Sequence, residues 1–434
     1  MKKFVEKRLG KLARQILERY QPKIVAITGS VGKTSTKRAI AAVLAEKYKV
    51  RTSPANYNTE FGVPLTIIDE PSPGKSAIGW LKVLLKARRL ARGKAEFPQV
   101  LVLEYGTDKP GDIDYLCDIA PPDVSVVTRI STVHVEHFGS IGKLIEEKAA
   151  LVRRAKESGA VILNADDELV LAMKDQARAP VMTYGFSAGA DVIAANYSLY
   201  VKPDLKFEPG ETIATTMFTL ESEDQQLEVA LDNVMGLPAV FSALAAIAVG
   251  KQFGLTMDEI IGGLSQFTPM PGRLRILPGI KGSVLIDDSY NAAPASMIAA
   301  IDLLREFPMV EDNQRIAALG DMLELGQYSE EEHRRVGQHI VERGIDVLVT
   351  AGERAHDIAQ AAIDFGMDED KIHEFKSSQE AGRWLDAKVD PGDVVLIKGS
   401  QGTRMEKVTK DLMAEPLKAK DLLVRQYPPW VDMD

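Results

Sequence analysis

The sequence predicts an α/β protein with two lobes, a P-loop domain on a parallel sheet followed by a Rossmann-like C-terminal α/β domain. Three observations lead there. Short apolar runs alternate with helix-patterned stretches over most of the 434 residues, as parallel strands covered on both faces require. A glycine-rich loop, Thr28-Gly-Ser-Val-Gly-Lys-Thr-Ser35, follows the first such run. A Pro/Gly hinge, Thr268-Pro-Met-Pro-Gly-Arg273, interrupts the alternation, which then restarts.

Residues 1–22 read as a basic helix, with Phe4, Val5, Leu9, Leu12, Ile16 and Leu17 at helical spacing. Residues 23–271 make the central domain. Within it Ile24–Thr28, Val100–Glu104, Val124–Thr128 and Val161–Asn164 are expected to be buried strands, and a helix is expected from Lys33 to Glu46. Residues 75–94 give a second amphipathic helix, with Trp80, Leu81, Val83, Leu84, Leu85 and Leu90 on its apolar side. Residues 188–232 lack a helical period and contain Pro203 and Pro209-Gly210, so they read as a β-rich excursion. Ala239–Gly250 is a helix of small residues, and Thr256–Phe267 starts with a capping box of Thr256 and Glu259. Residues 272–434 form the second domain, with strands at Val284–Asp288, Arg315–Leu319, Val347–Ala351 and Val394–Lys398.

Composition narrows the class. Hydrophobic residues at 45% and charged ones at 26% exclude disordered and fibrous chains. A formal charge of −9 argues against a general nucleic-acid binder. The single cysteine, Cys117, allows no intrachain disulfide and no thiolate cage, and fits a cytoplasmic location. The first residues carry charges throughout and read as no secretory signal, and no apolar run reaches a membrane span. Charge is unevenly placed: residues 1–23 carry +6 and residues 75–94 carry +7, so the rest carries −22 within the total of −9. The plain expectation is two surface helices docked on an acidic body. The alternative is contact with an anionic membrane surface or a polyanionic substrate.

Phosphate chemistry is the strongest signal. A glycine-rich turn between strand and helix brings backbone N–H groups and a positive helix end to an anion, so Gly29, Ser30, Gly32, Lys33, Thr34 and Ser35 are the candidate nucleotide contacts. Lys33 would reach the β- and γ-phosphates and Thr34 would ligate Mg²⁺. The usual spacing asks for glycine at position 27, where this chain has Ile27. Glu104 at a strand end and His134 just beyond the next strand lie where ligands collect in an open α/β sheet, and with Thr34 could converge on Mg²⁺. Lys148, by its pattern alone, is an ordinary surface lysine. Beyond the hinge, Arg273, the Ile286–Pro294 segment, Gly320–Gly326 and Lys398–Arg404 read as binding loops on one sheet edge, covering a nucleotide from the second lobe.

These residues resemble the Mur ligase family. The blocks TGSVGKTS, Asn56–Pro64, Glu104, HVEHFGS, EKAAL, NADD, PGR, DDSYNAAPASM, LGDMLELG and KGSQGTRME run in the family's order from about Lys23 to Leu412, closest to the branch that adds D-alanyl-D-alanine. The resemblance implies an ATP-dependent, ADP-forming acid–amino-acid ligase of cell-wall synthesis that works through an acyl phosphate. Its partners would be a small-molecule or peptide carboxylate and an amino-acid or dipeptide amine, with no nucleic acid. It implies two Mg²⁺ sites, Thr34 and Glu104 holding one, His134 helping to hold the other, and Lys148 carbamylated beside it. It makes Lys33, Lys148 and His134 the catalytic set, Arg273, Asp288 and Asn291 nucleotide contacts, and Asn56, Asn58, Lys398 and Arg404 substrate contacts. Two departures alter the expectation. Only about 23 residues precede the P-loop strand, where the family's cell-wall members carry a UDP-sugar-binding module. The helix start Gly236–Ala243 also lacks the family's His and Asn residues near adenine, having Pro238, Ala239 and Ser242 instead. The competing expectations are ligation on a cofactor, polyglutamate-like or lipid-linked acceptor, and a P-loop regulator without ligase activity.

Overall fold

The computed structural model describes residues 2–53, 57–93, 95–131, 135–203, 211–222, 225–309, 312–428 and 430–432. Nine strands form one sheet: Lys23–Thr28 (β1), Val50–Thr52 (β2), Val100–Glu104 (β3), Val124–Val127 (β4), Ala160–Asn164 (β5), Val181–Gly185 (β6), Val192–Val201 (β7), Ala214–Ser222 (β8) and Gln225–Asp232 (β9). Their order is β2-β3-β1-β4-β5-β6-β7-β8-β9. Pairing is parallel from β2 through β7 and antiparallel from β7 to β9. The β-rich 188–232 segment therefore extends the parallel sheet at its edge instead of forming a separate layer. Its Pro209-Gly210 pair lies outside the described residues.

β1 sits between β3 and β4, so the chain leaves it toward one side and returns on the other. That reversal opens a crevice at the carboxyl ends of β1, β3 and β4. Four helices of the first lobe matter below: Lys2–Tyr20 (α1), Lys33–Ala45 (α2), Gly62–Ile68 (α3) and Ala77–Arg92 (α4). α2 opens directly from the glycine loop. The helix Leu237–Gln252 is apolar on every side and packs in the same core as Ile40, Val43 and Leu44 of α2. Thr256 caps the next helix, Met257–Ser265, with the reciprocal Glu259 bond.

The second sheet has Arg275–Pro278 (β10), Val284–Asp288 (β11), Arg315–Gly320 (β12), Val347–Ala351 (β13), Ile372–Phe375 (β14) and Val394–Lys398 (β15), in the order β10-β11-β15-β12-β13-β14. All pairings are parallel except β10 with β11. β2, β6, β10 and β14 carry no strong apolar run. β2, β10 and β14 are short edge or near-edge pieces, and polar residues fall within β6 and β14, so burial on both faces never marked them. No helix among the described residues is long and apolar enough to cross a membrane.

Candidate active site

The glycine loop is shaped by its neighbours. Gly29 has φ 146°, and a Cβ there would come within 2.0 Å of Thr128 Oγ1, so only glycine fits. Gly32 takes φ 87° at the start of α2 and offers no side-chain cap, which leaves the first N–H groups of the helix open to an anion. Thr128 Oγ1 donates to the Val31 carbonyl at 2.6 Å, tying the loop to the end of β4.

Lys33 donates to the carbonyls of Gly29 at 2.8 Å and Ser30 at 3.2 Å, so its ammonium folds over the loop. Lys148 donates to the same Gly29 carbonyl at 3.0 Å from the helix Ile141–Arg153. Two lysine nitrogens thus meet on one oxygen. Burial, reinforced by Lys33, holds the Lys148 amine well below the usual lysine range, and burial lowers Lys33 as well. The surface lysine expected from pattern alone is a buried amine, because Glu147 beside it is turned inward too. Glu147 accepts backbone N–H bonds from Gly111 at 2.7 Å and Ile113 at 2.8 Å, which fixes this face of the helix against the start of the helix Asp112–Ile119.

Glu104 is 1% exposed at the end of β3. Its carboxylate accepts from Thr34 Oγ1 at 2.9 Å and Asn58 Nδ2 at 3.0 Å. Burial alone would raise its pKa, but Lys37 and Lys33, helped by those two hydrogen bonds, hold it below the ordinary carboxylate value. Lys37, not marked by the sequence, lies 3.6 Å from Glu104 with its side chain fully enclosed, and donates to Ser53 Oγ at 2.8 Å. The available signal was its position one helical turn after Lys33, on the buried side of α2. Lys37→Met should lower the unfolding free energy by about 3–5 kcal/mol, measured by denaturant titration, because it removes the paired ammonium, Lys37, from a buried carboxylate.

Lys33, Thr34, Asn58, Glu104 and Lys148 line one cavity of about 600 Å³, and Arg273, Asn291 and Trp430 close it from the second lobe. The gap between the lobes also holds a cavity of about 530 Å³, more apolar, lined by Ser35, Tyr184, Pro238, Phe241 and Phe267 among others. Arg273 borders both, with its guanidinium 4.2 Å from the Tyr290 ring centre. The altered helix start at Gly236 thus faces the second cavity, and Ser242 Oγ is spent on the Pro238 carbonyl at 2.9 Å. Asp288 lies at the same opening, held by Lys398 at 2.5 Å and by the Leu274 N–H at 3.2 Å. Lys398 also reaches the Asn291 carbonyl at 3.0 Å. Arg404 bonds Glu406 at 2.6 Å and the Trp430 carbonyl at 2.8 Å, and so meets the first cavity through Trp430. Trp430 carried no sequence signal, being far along the chain from every motif. His134 and Asn56 lie outside the described residues.

Among the described residues no group of three or more His, Cys, Asp or Glu could hold a metal. Thr34 and Glu104 nevertheless offer two adjacent oxygens beside the phosphate loop, which suits Mg²⁺ when phosphates and water supply the rest.

A glycine loop at a sheet switch point, facing a second α/β lobe across a charged cleft, defines a two-lobed P-loop protein. The Mur ligase middle-domain profile matches residues 27–250, and the Mur ligase glutamate ligase domain profile matches residues 272–401. The chain belongs to the Mur ligase family. It is 30% identical over 409 residues to the UDP-N-acetylmuramoyl-tripeptide–D-alanyl-D-alanine ligase of Bacillus subtilis, covering 94% of this chain and 80% of that one. The enzyme of the same name from Mycobacterium tuberculosis is 33% identical, over 90% of this chain and 73% of its own. The Thermotoga maritima MurF ligase in complex with ADP superposes with a TM-score of 0.75 at 27% identity, over 96% of this chain and 84% of that one.

Proposed function

We propose that this chain is an ATP-dependent, ADP-forming ligase that joins a carboxylate to an amine through an acyl phosphate. The observation that carries the reading is the meeting of Lys33, Glu104 and Lys148 in one cavity, closed by Arg273 from the opposite lobe. A carboxylate and a triphosphate repel each other, so the protein's work is to neutralise and align them. The uncapped first N–H groups of α2 and the Lys33 ammonium would take the phosphates, with Gly29, Ser30, Gly32 and Ser35 beside them. Thr34 and Glu104 would hold Mg²⁺, which neutralises phosphate charge when bound. The second cavity, with Tyr184, Pro238 and Phe241, would take the base by apolar contact, since the polar side chains usual at that helix start are missing. Arg273, Asp288 and Asn291 would meet the nucleotide from the second lobe, and Asn56, Asn58, Lys398 and Arg404 the acid and amine.

Lys148 has the property that carbamylation needs. Burial favours its unprotonated form, in which the amine would bond the carbon of CO₂, release one proton and become an anionic carbamate. That group, with His134, would support a second Mg²⁺. The relatives' names make UDP-N-acetylmuramoyl-tripeptide and D-alanyl-D-alanine the first pair to test. Purified protein with Mg-ATP should release phosphate only when acid and amine are both present. Polyglutamate and cofactor acids form the comparison set. Nucleotide binding without phosphate release from any pair would overturn the ligase reading in favour of a regulator.

A further inference from the structure

α1 and α4 lie side by side over the first sheet, joined where Tyr20 Oη contacts the Leu90 and Gly93 carbonyls at 3.3 Å. α1 buries Leu9, Leu12, Ile16 and Leu17, and α4 buries Val83 and Ala87. Their outer faces are unusual for a surface. On α4, Ile78, Leu81 and Leu85 are 70%, 55% and 52% exposed and recur at three- and four-residue spacing, so they form one apolar ridge. Phe4 of α1 is 71% exposed and shares its helix face with Arg8 and Lys11. Lys82, Arg88, Arg89 and Arg92 stand exposed on the ridge side of α4. Between the helices runs a groove of about 890 Å³ lined by Arg8, Lys11, Arg19, Arg88 and Arg92, with Glu18 as its carboxylate. Arg8, Lys11, Arg88 and Arg92 make no ion pair among the described residues.

We propose that this face docks on a bilayer containing anionic phospholipid. Apolar side chains flanked by unpaired cations match the boundary between acyl chains and headgroups, where the first insert and the second meet phosphates. A nucleic acid would use the cations but not an isoleucine–leucine ridge. The residual −22 on the rest of the chain favours presenting this basic face toward a negative surface. None of these side chains lines either cavity of the cleft, so docking leaves the catalytic machinery accessible.

The test is co-sedimentation of the full chain with phosphatidylcholine vesicles, with and without about one third phosphatidylglycerol. Wild type should pellet with the anionic vesicles at low salt and be progressively released as salt shortens the Debye length. Arg88→Gln with Arg92→Gln should weaken binding about 25-fold, at roughly fivefold per cation. Leu81→Ser with Leu85→Ser should weaken it at least about tenfold while keeping its salt sensitivity. Absence of pelleting at low salt, equal pelleting with neutral vesicles, or a leucine double variant that binds like wild type would overturn the proposal. So would retention by an oligonucleotide in the absence of vesicle binding.

Discussion

Replacing Lys148 with alanine should abolish ATP-dependent phosphate release, with a loss on the order of 10³-fold, while the protein stays folded. The change removes one amine and its bond to the Gly29 carbonyl from a site that is 1% exposed. Because burial keeps that amine from holding its proton firmly, no strongly paired charge is lost, and the stability cost is that of a truncated buried side chain, about 2–3 kcal/mol. The size of the rate effect would follow from losing the second Mg²⁺ that the proposed carbamate would support beside the transferring phosphoryl. A short-chain carboxylate such as acetate should restore part of the turnover by standing where the carbamate would. The pH dependence has a definite sign. Acidification protonates the amine and removes the lone pair that takes up CO₂, so activation by added bicarbonate should weaken as pH falls. Unchanged turnover in Lys148→Ala would remove the second-metal assignment.

Lys33→Ala should lower phosphate release by about 10²–10³-fold and weaken nucleotide binding in the same sample, read by calorimetry. Its ammonium rests on the Gly29 and Ser30 carbonyls, which places it over the loop that would cradle the phosphates. Removal also takes away one of the two lysines that hold Glu104 ionised, so the carboxylate becomes easier to protonate. Arginine should not substitute, because a planar fork on a longer stem cannot occupy the pocket of a compact ammonium. A Lys33→Ala protein with full nucleotide affinity would show that the loop does not carry the phosphates.

The buried strands were legible because being covered on both faces leaves an unbroken apolar run, as in Val100–Glu104 and Val394–Lys398, whose ends the structure reproduces. The glycine loop was legible because the backbone geometry it needs restricts residue choice at Gly29 and Gly32. Strands such as Ile372–Phe375 were not, since an edge position asks little of its side chains. Lys37 was missed because a lysine's charge says nothing about whether water or a carboxylate surrounds it.

The amino-acid order alone determined the two alternating α/β halves, the phosphate loop and the acidic strand end, since each depends on local spacing and backbone freedom. Only the tertiary structure decided which lysines are enclosed and lowered in pKa, that Lys33 and Lys148 share one carbonyl, and that Arg273 and Trp430 complete a cavity begun some 240 and 400 residues earlier. Solvation and long-range approach are properties of packing, and a linear pattern does not contain them.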